Sequence, residues 1–153
     1  MSSLQIKTKE RVKKFAEVYT PDFIVKDMCD LVPTISDIET TVFEPAFGNG
    51  NFLVEIYSRK LANCKTTEDV LVAVQSVYGV ELLTDNVIEA KERLWQVILN
   101  SRIPMTMYEK QTIALVMNLN LQQGNTLTGL KNNGKEILFY DWGEKQWKQN
   151  LRD

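Results

Sequence analysis

At 153 residues the chain is long enough to bury a core and short enough to form one domain. With 44% hydrophobic and 25% charged residues it has the make-up of an ordinary globular protein, which excludes a disordered chain. A net charge of -2 excludes an overall basic footprint for nucleic acid. The lack of any histidine removes the commonest general base and transition-metal ligand, so Ser-His-Asp chemistry, zinc hydrolysis and a metal site are not expected.

No apolar run approaches the ~20 residues that cross a bilayer, and the N-terminus is too polar for a signal peptide, so a cytoplasmic protein with no membrane contact is expected. Cys29 and Cys64 lack C-x-x-C spacing and read as free, buried thiols. Between Lys7 and Lys14 five cations surround one glutamate, within an N-terminal arm or helix covering residues 1–15. A solvated arm is the plainer reading and a phosphate-contacting patch the sharper one.

The first helix is expected from Thr20 as N-cap, Pro21 at the first helical position and Asp22 facing the helix dipole, ending before Pro33. Phe23, Ile24, Met28 and Leu31 recur at helical spacing and predict the face that packs on a sheet. Residues 40–44 read as a short strand, breaking into the loop E-P-A-F-G-N-G-N-F from Glu44 to Phe52. Gly48 and Gly50 suit a backbone that must pass close to something. A helix follows over residues 51–60 with Phe52, Leu53, Ile56 and Tyr57 on its apolar side.

A polar linker over residues 63–69 leads to a second apolar region, 70–81, whose start is the end of a helix or irregular and whose end is a buried strand closing on Glu81. Thr84 caps a helix over residues 84–99 with Val87, Ala90, Leu94 and Val97 as its core stripe. Pro104 opens another helix to about Val116, residues 118–122 alternate like a strand, K-N-N-G-K is a turn, and residues 136–142 are β-prone. This alternation predicts an α/β fold, a parallel sheet of about four strands with helices on both faces, with residues 136–153 as a C-terminal tail.

Three strand ends line up: Glu44 with its glycine loop, Glu81, and Gly124-Asn125. Ligands of open α/β sheets bind outside the carboxyl ends of strands. An acid after the second strand suits the two hydroxyls of a ribose, and a polar residue after the third suits the amine of an adenine. Without a G-K-[ST] ending and with acids at two strand ends, Glu44 and Glu81, the loop fits a nucleoside with a cationic arm better than a polyphosphate.

The order of these features resembles the S-adenosylmethionine-binding half of adenine-specific (N6) DNA methyltransferases of restriction-modification systems. Their pattern Asp/Glu-P-A-x-G-x-G-x-F is matched from Glu44 through Pro45, Ala46, Phe47, Gly48 and Gly50 to Phe52. Their x-Y/F-T-P segment is matched by Val18-Tyr19-Thr20-Pro21, and their second-strand acid by Glu81, with Leu82 as the apolar neighbour of the adenine. The resemblance implies a Rossmann-like methyltransferase fold with S-adenosylmethionine as cofactor, the methionine moiety lying beside Tyr19, Thr20 and Pro21.

Two departures matter. The family's Gly-Asp after the third strand is Gly124-Asn125 here, implying weaker binding of the cofactor amine. The catalytic tetrapeptide Asp/Asn/Ser-Pro-Pro-Tyr/Phe is missing, since the prolines are Pro21, Pro33, Pro45 and Pro104. Either Asp141-Trp142 is a degenerate form of it, or I-L-F-Y-D-W is a hairpin preceding a motif the chain does not reach. The expected function is the cofactor-binding component of an adenine DNA methyltransferase whose tetrapeptide and DNA contacts come from a partner. A second subunit or a homodimer is then expected to cover the C-terminal sheet edge or Trp142 and Trp147. A non-catalytic decoy or regulator, and a minimal stand-alone enzyme using Asp141, are the alternatives.

Overall fold

The computed structural model describes residues 20–149, so Tyr19 and the basic patch between Lys7 and Lys14 lie outside the described residues. Among these residues no helix is long and apolar enough to cross a membrane.

The elements in chain order are α1 (Asp22–Asp30), a short 3-10 turn (Pro33–Ser36), β1 (Val42–Glu44), α2 (Asn51–Leu61), α3 (Thr67–Gln75), β2 (Val77–Glu81), α4 (Thr84–Asn100), α5 (Met107–Asn120), β3 (Leu121–Gln123), β4 (Phe139–Asp141) and β5 (Gln146–Lys148). The three central strands form a parallel sheet in the order β1-β2-β3, with Val42 opposite Val77 and Gly79 opposite Leu121. Both crossovers step the same way across the sheet, and right-handed connections that do so lay their helices on one face. There Val42, Val77 and Leu121 meet Leu53, Ile56, Leu94, Ile98, Ile113 and Met117 in the main core.

The expectation of about four parallel strands with helices on both faces is corrected here. Strand β4 pairs antiparallel with β5 in a separate two-stranded sheet. Side chains alternate along a strand, so Tyr78 and Val80 point away from the main core. Ile137 and Phe139 cover them, forming a second and smaller cluster. Phe139 meets both Phe43 and Tyr78 edge-on, at ring separations of 5.7 and 5.9 Å. The second face is thus covered by an extended chain segment.

Several element edges also differ, among them the end of α5, which runs to Asn120 instead of about Val116 and so takes residues 118–120 of the expected strand over residues 118–122, leaving β3 as Leu121–Gln123. Helix α1 starts at Asp22 with Pro21 as its N-cap, one residue later than expected, and the Pro21 carbonyl accepts from both Ile24 and Val25. Its buried residues are Val25 and Cys29, whereas Phe23 and Leu31 are 68% and 82% exposed. A helix laid against another helix needs only a narrow i, i+4 seam, and α1 is tied to α2 by the 2.8 Å Arg59–Asp30 ion pair. The region preceding β2 is a full helix opened by a capping box between Thr66 and Asp69, and α5 is opened by one between Thr106 and Glu109 instead of by Pro104. Helix α4 is capped by Leu83, with Thr84 as its first residue.

Candidate functional site

The loop between β1 and α2 is built by its glycines and by one aromatic ring. Gly48 has φ 57° and Gly50 has φ 97°, the left-handed region that side chains disfavour. Between Glu44 and these turns Phe47 drops into the core, only 5% exposed, and its amide donates to the Val80 carbonyl at 3.2 Å. A Cβ on Gly79 would sit 2.7 Å from the Phe47 ring, so the glycine in V-Y-G-V-E makes room for the loop's anchor. Gly50 lies against α4, where an added Cβ would come 3.0 Å from that of Ala90.

Glu81 joins this loop to the next. Its Oε1 accepts from the Gly48 amide at 3.1 Å, and its Oε2 accepts from the Leu83 amide and the Asn86 side chain, both at 3.1 Å. The carboxylate is 7% exposed and ties β1's loop to the start of α4. The Gly124 amide, just past β3, donates to the Glu81 carbonyl at 3.0 Å, and Thr126 Oγ1 donates to the Pro45 carbonyl, closing the third strand end onto the first. Glu44 is half-buried with one oxygen accepting from the Ala46 amide at 3.3 Å, and burial raises its pKa above the usual carboxylate range.

Thr20 reaches the same place through its backbone. Its carbonyl accepts from Asn51 Nδ2 at 3.1 Å, and Asn51 Oδ1 in turn accepts from Arg93 Nη1 at 2.9 Å. The same Arg93 nitrogen donates to the Asn49 carbonyl at 2.9 Å, inside the glycine loop. Sequence reasoning passed over Asn49, Asn51, Asn86 and Arg93. The asparagines stood in plain view within G-N-G-N and T-D-N, but nothing local to Arg93 announces a partner some 40 residues upstream.

Thr20, Pro21, Glu44, Pro45, Ala46, Gly48, Gly50, Glu81, Leu82 and Asn125 therefore gather at the carboxyl ends of the three parallel strands. Pro45 and Ala46 are exposed, Leu82 is 39% exposed, and Phe52 is half-buried against the core. Asn125 is committed elsewhere than expected: its Oδ1 accepts from the Leu127 and Thr128 amides at 2.9 and 3.2 Å, shaping its own turn.

No protein-family model, no curated protein and no solved structure matches this chain.

Asp141 is not brought to this constellation. The segment over β2 runs antiparallel to it, from Ile137 beside Gly124 to Trp142 near the amino ends of the strands. There Asp141 and Trp142 line a cavity of about 330 Å³ with Thr41 and Ser76, which directly precede β1 and β2. Asp141 Oδ1 accepts from the Gly143 and Glu144 amides at 3.0 and 2.9 Å, while Oδ2 pairs with Lys148 at 3.1 Å. These donors hold its pKa below the usual range, so it is an ionised turn acceptor at the wrong end of the sheet to serve the glycine loop. Trp142 is equally committed, its indole donating to Asn120 Oδ1 at 2.9 Å.

Proposed function

We propose that the chain binds S-adenosylmethionine at the carboxyl ends of its three parallel strands and acts as the cofactor-binding component of an adenine DNA methyltransferase. The observation that carries this reading is the Glu81 carboxylate bridging the glycine loop and α4 beside Glu44. A carboxylate offers about four acceptor directions. Gly48, Leu83 and Asn86 use three, and the one left, on Oε1, takes a ribose hydroxyl. Leu82 gives the adenine an apolar face. Among the described residues no side chain caps α2, and its first turn carries no acid, so the positive end of its dipole suits the carboxylate of the methionine arm.

Since Asp141 sits at the opposite end of the sheet and the sequence contains no Pro-Pro, the acceptor for a target amine comes from a partner chain in this reading. The same observation favours a cofactor-binding or decoy module over a stand-alone enzyme.

Calorimetric titration with S-adenosylmethionine tests the core of the proposal. Saturable heat and a raised melting temperature are expected, and no heat with no thermal shift at millimolar cofactor overturns it. Labelled-methyl transfer to DNA, expected only when a chain carrying the tetrapeptide is added, separates the component from the decoy.

A further inference from the structure

Arg93 sits on the third turn of α4 and reaches across to the loop between β1 and α2. One of its terminal nitrogens donates to two oxygens, the Asn49 carbonyl and Asn51 Oδ1, both at 2.9 Å. Asn49 is 1% exposed and sits between the two positive-φ glycines, the part of the loop with the least intrinsic preference for one shape. Asn51, 8% exposed, passes the connection on, its Nδ2 donating to the Thr20 carbonyl. Two side chains thus connect α4, the glycine loop and the Thr20-Pro21 segment.

We infer that Arg93 is the positioning residue of the candidate site, holding the glycine loop and the Thr20-Pro21 segment in the mutual arrangement that receives the cofactor. This rests on the S-adenosylmethionine reading above for the ligand, and on the hydrogen bonds alone for the positioning. A guanidinium suits the task because it is always charged and its planar donors are fixed in direction, whereas a lysine in its place offers a single point charge on a flexible stem. Charge-assisted bonds to a carbonyl and an amide oxygen are also stronger than neutral ones, so they select one loop conformation.

The experiment compares wild type, Arg93→Met and Arg93→Lys in the full chain by calorimetric titration with S-adenosylmethionine, melting temperature, and amide hydrogen exchange. Arg93→Met is expected to weaken cofactor binding by about tenfold or more. Arg93→Lys is expected to recover part of that loss. Amide exchange should speed up at residues 47–52 and stay unchanged in α3 and α5. Wild-type affinity in Arg93→Met, or faster exchange spread evenly over the chain, overturns the inference. If Arg93→Met fails to fold, Arg93→Lys carries the test: wild-type affinity and loop exchange in it overturn the inference. If wild type itself does not bind the cofactor, the ligand reading falls, and exchange at residues 47–52 alone decides the positioning role.

Discussion

Gly50 and Ala90 face each other so closely that a methyl group on the first would stand 3.0 Å from the methyl group of the second. The loop and α4 are therefore fitted together at two adjacent points, this backbone-to-alanine contact and the Arg93 bonds. Gly50→Ala is expected to destabilise the fold by about 1–3 kcal/mol, from both the contact and the positive φ. Urea unfolding measures it. The double variant with Ala90→Gly should not restore stability, because it relieves only the contact. Full recovery would show that the φ of 97° carries no strain.

Glu81→Gln separates charge from shape. A glutamine has one acceptor oxygen and an NH2 group that must face at least one of the donors Gly48, Leu83 or Asn86. A loss of about 1–3 kcal/mol in stability is expected, together with loss of S-adenosylmethionine binding. Unchanged unfolding would mean that the three donors find other partners.

Lys60 gives a pH signature. It is fully buried, with its ammonium donating to the carbonyls of Asp37 and Thr40 ahead of β1. Burial lowers its pKa from 10.5 to about 8, against the opposing pull of Asp37. The folded chain therefore sheds this proton before the unfolded chain does. Between about pH 8 and 10.5 the unfolded state binds more protons, so this group's contribution to stability rises with pH. Below that window the burial penalty on the charged form is fully present. The difference in unfolding free energy between wild type and Lys60→Met, followed over this range, should move in favour of wild type as pH rises. A flat difference would sink the assignment.

Asp141→Ala is expected to loosen the β4-β5 turn, which loses the Gly143 and Glu144 bonds and the Lys148 pair. Cofactor affinity should stay at the wild-type value, because the residue stands at the other end of the sheet. A change of tenfold or more would contradict that placement.

The parts of the fold fixed by local chemistry were legible in the sequence. The β1-loop-α2 unit, the fully buried β2 ending at Glu81, and the long amphipathic α4 came from periodicity and glycine placement that the chain carries openly. The starts of α3 and α5 were just as available, since T-x-x-D at Thr66 and T-x-x-E at Thr106 are capping boxes, but a polar linker and a proline drew attention away from them. The exposed Phe23 and Leu31 could not be anticipated, because periodicity shows that a helix has an apolar stripe without showing how wide a seam its neighbour offers. Strand order is similarly hidden. Residues 139–141 look the same whether they extend a parallel sheet or fold back over its face, and the choice lies with Ile137 and Phe139 finding Tyr78 and Val80. In the candidate site Glu44, Gly48, Gly50 and Glu81 were readable as strand-end chemistry, whereas Arg93 acts only through the tertiary arrangement.

The antiparallel segment over β2 has a consequence for how the molecule opens. It is held by the small cluster of Tyr78, Val80, Ile137 and Phe139, by Gln122 Nε2 donating to the Leu138 carbonyl, by Tyr78 donating to the Tyr140 carbonyl, and by Trp142, whose indole donates to Asn120 Oδ1 at the edge of the main core. The helices hold the opposite face through a far larger apolar cluster. Layers of such unequal size are expected to open as separate cooperative units. In native-state hydrogen exchange, residues 137–148 should open at lower free energy than β2 and α4, baring one side of the sheet while the glycine loop keeps its shape. The cover would then be a hinged shutter, and any chain that replaces it would meet a ready-made row of Phe43, Tyr78 and Val80.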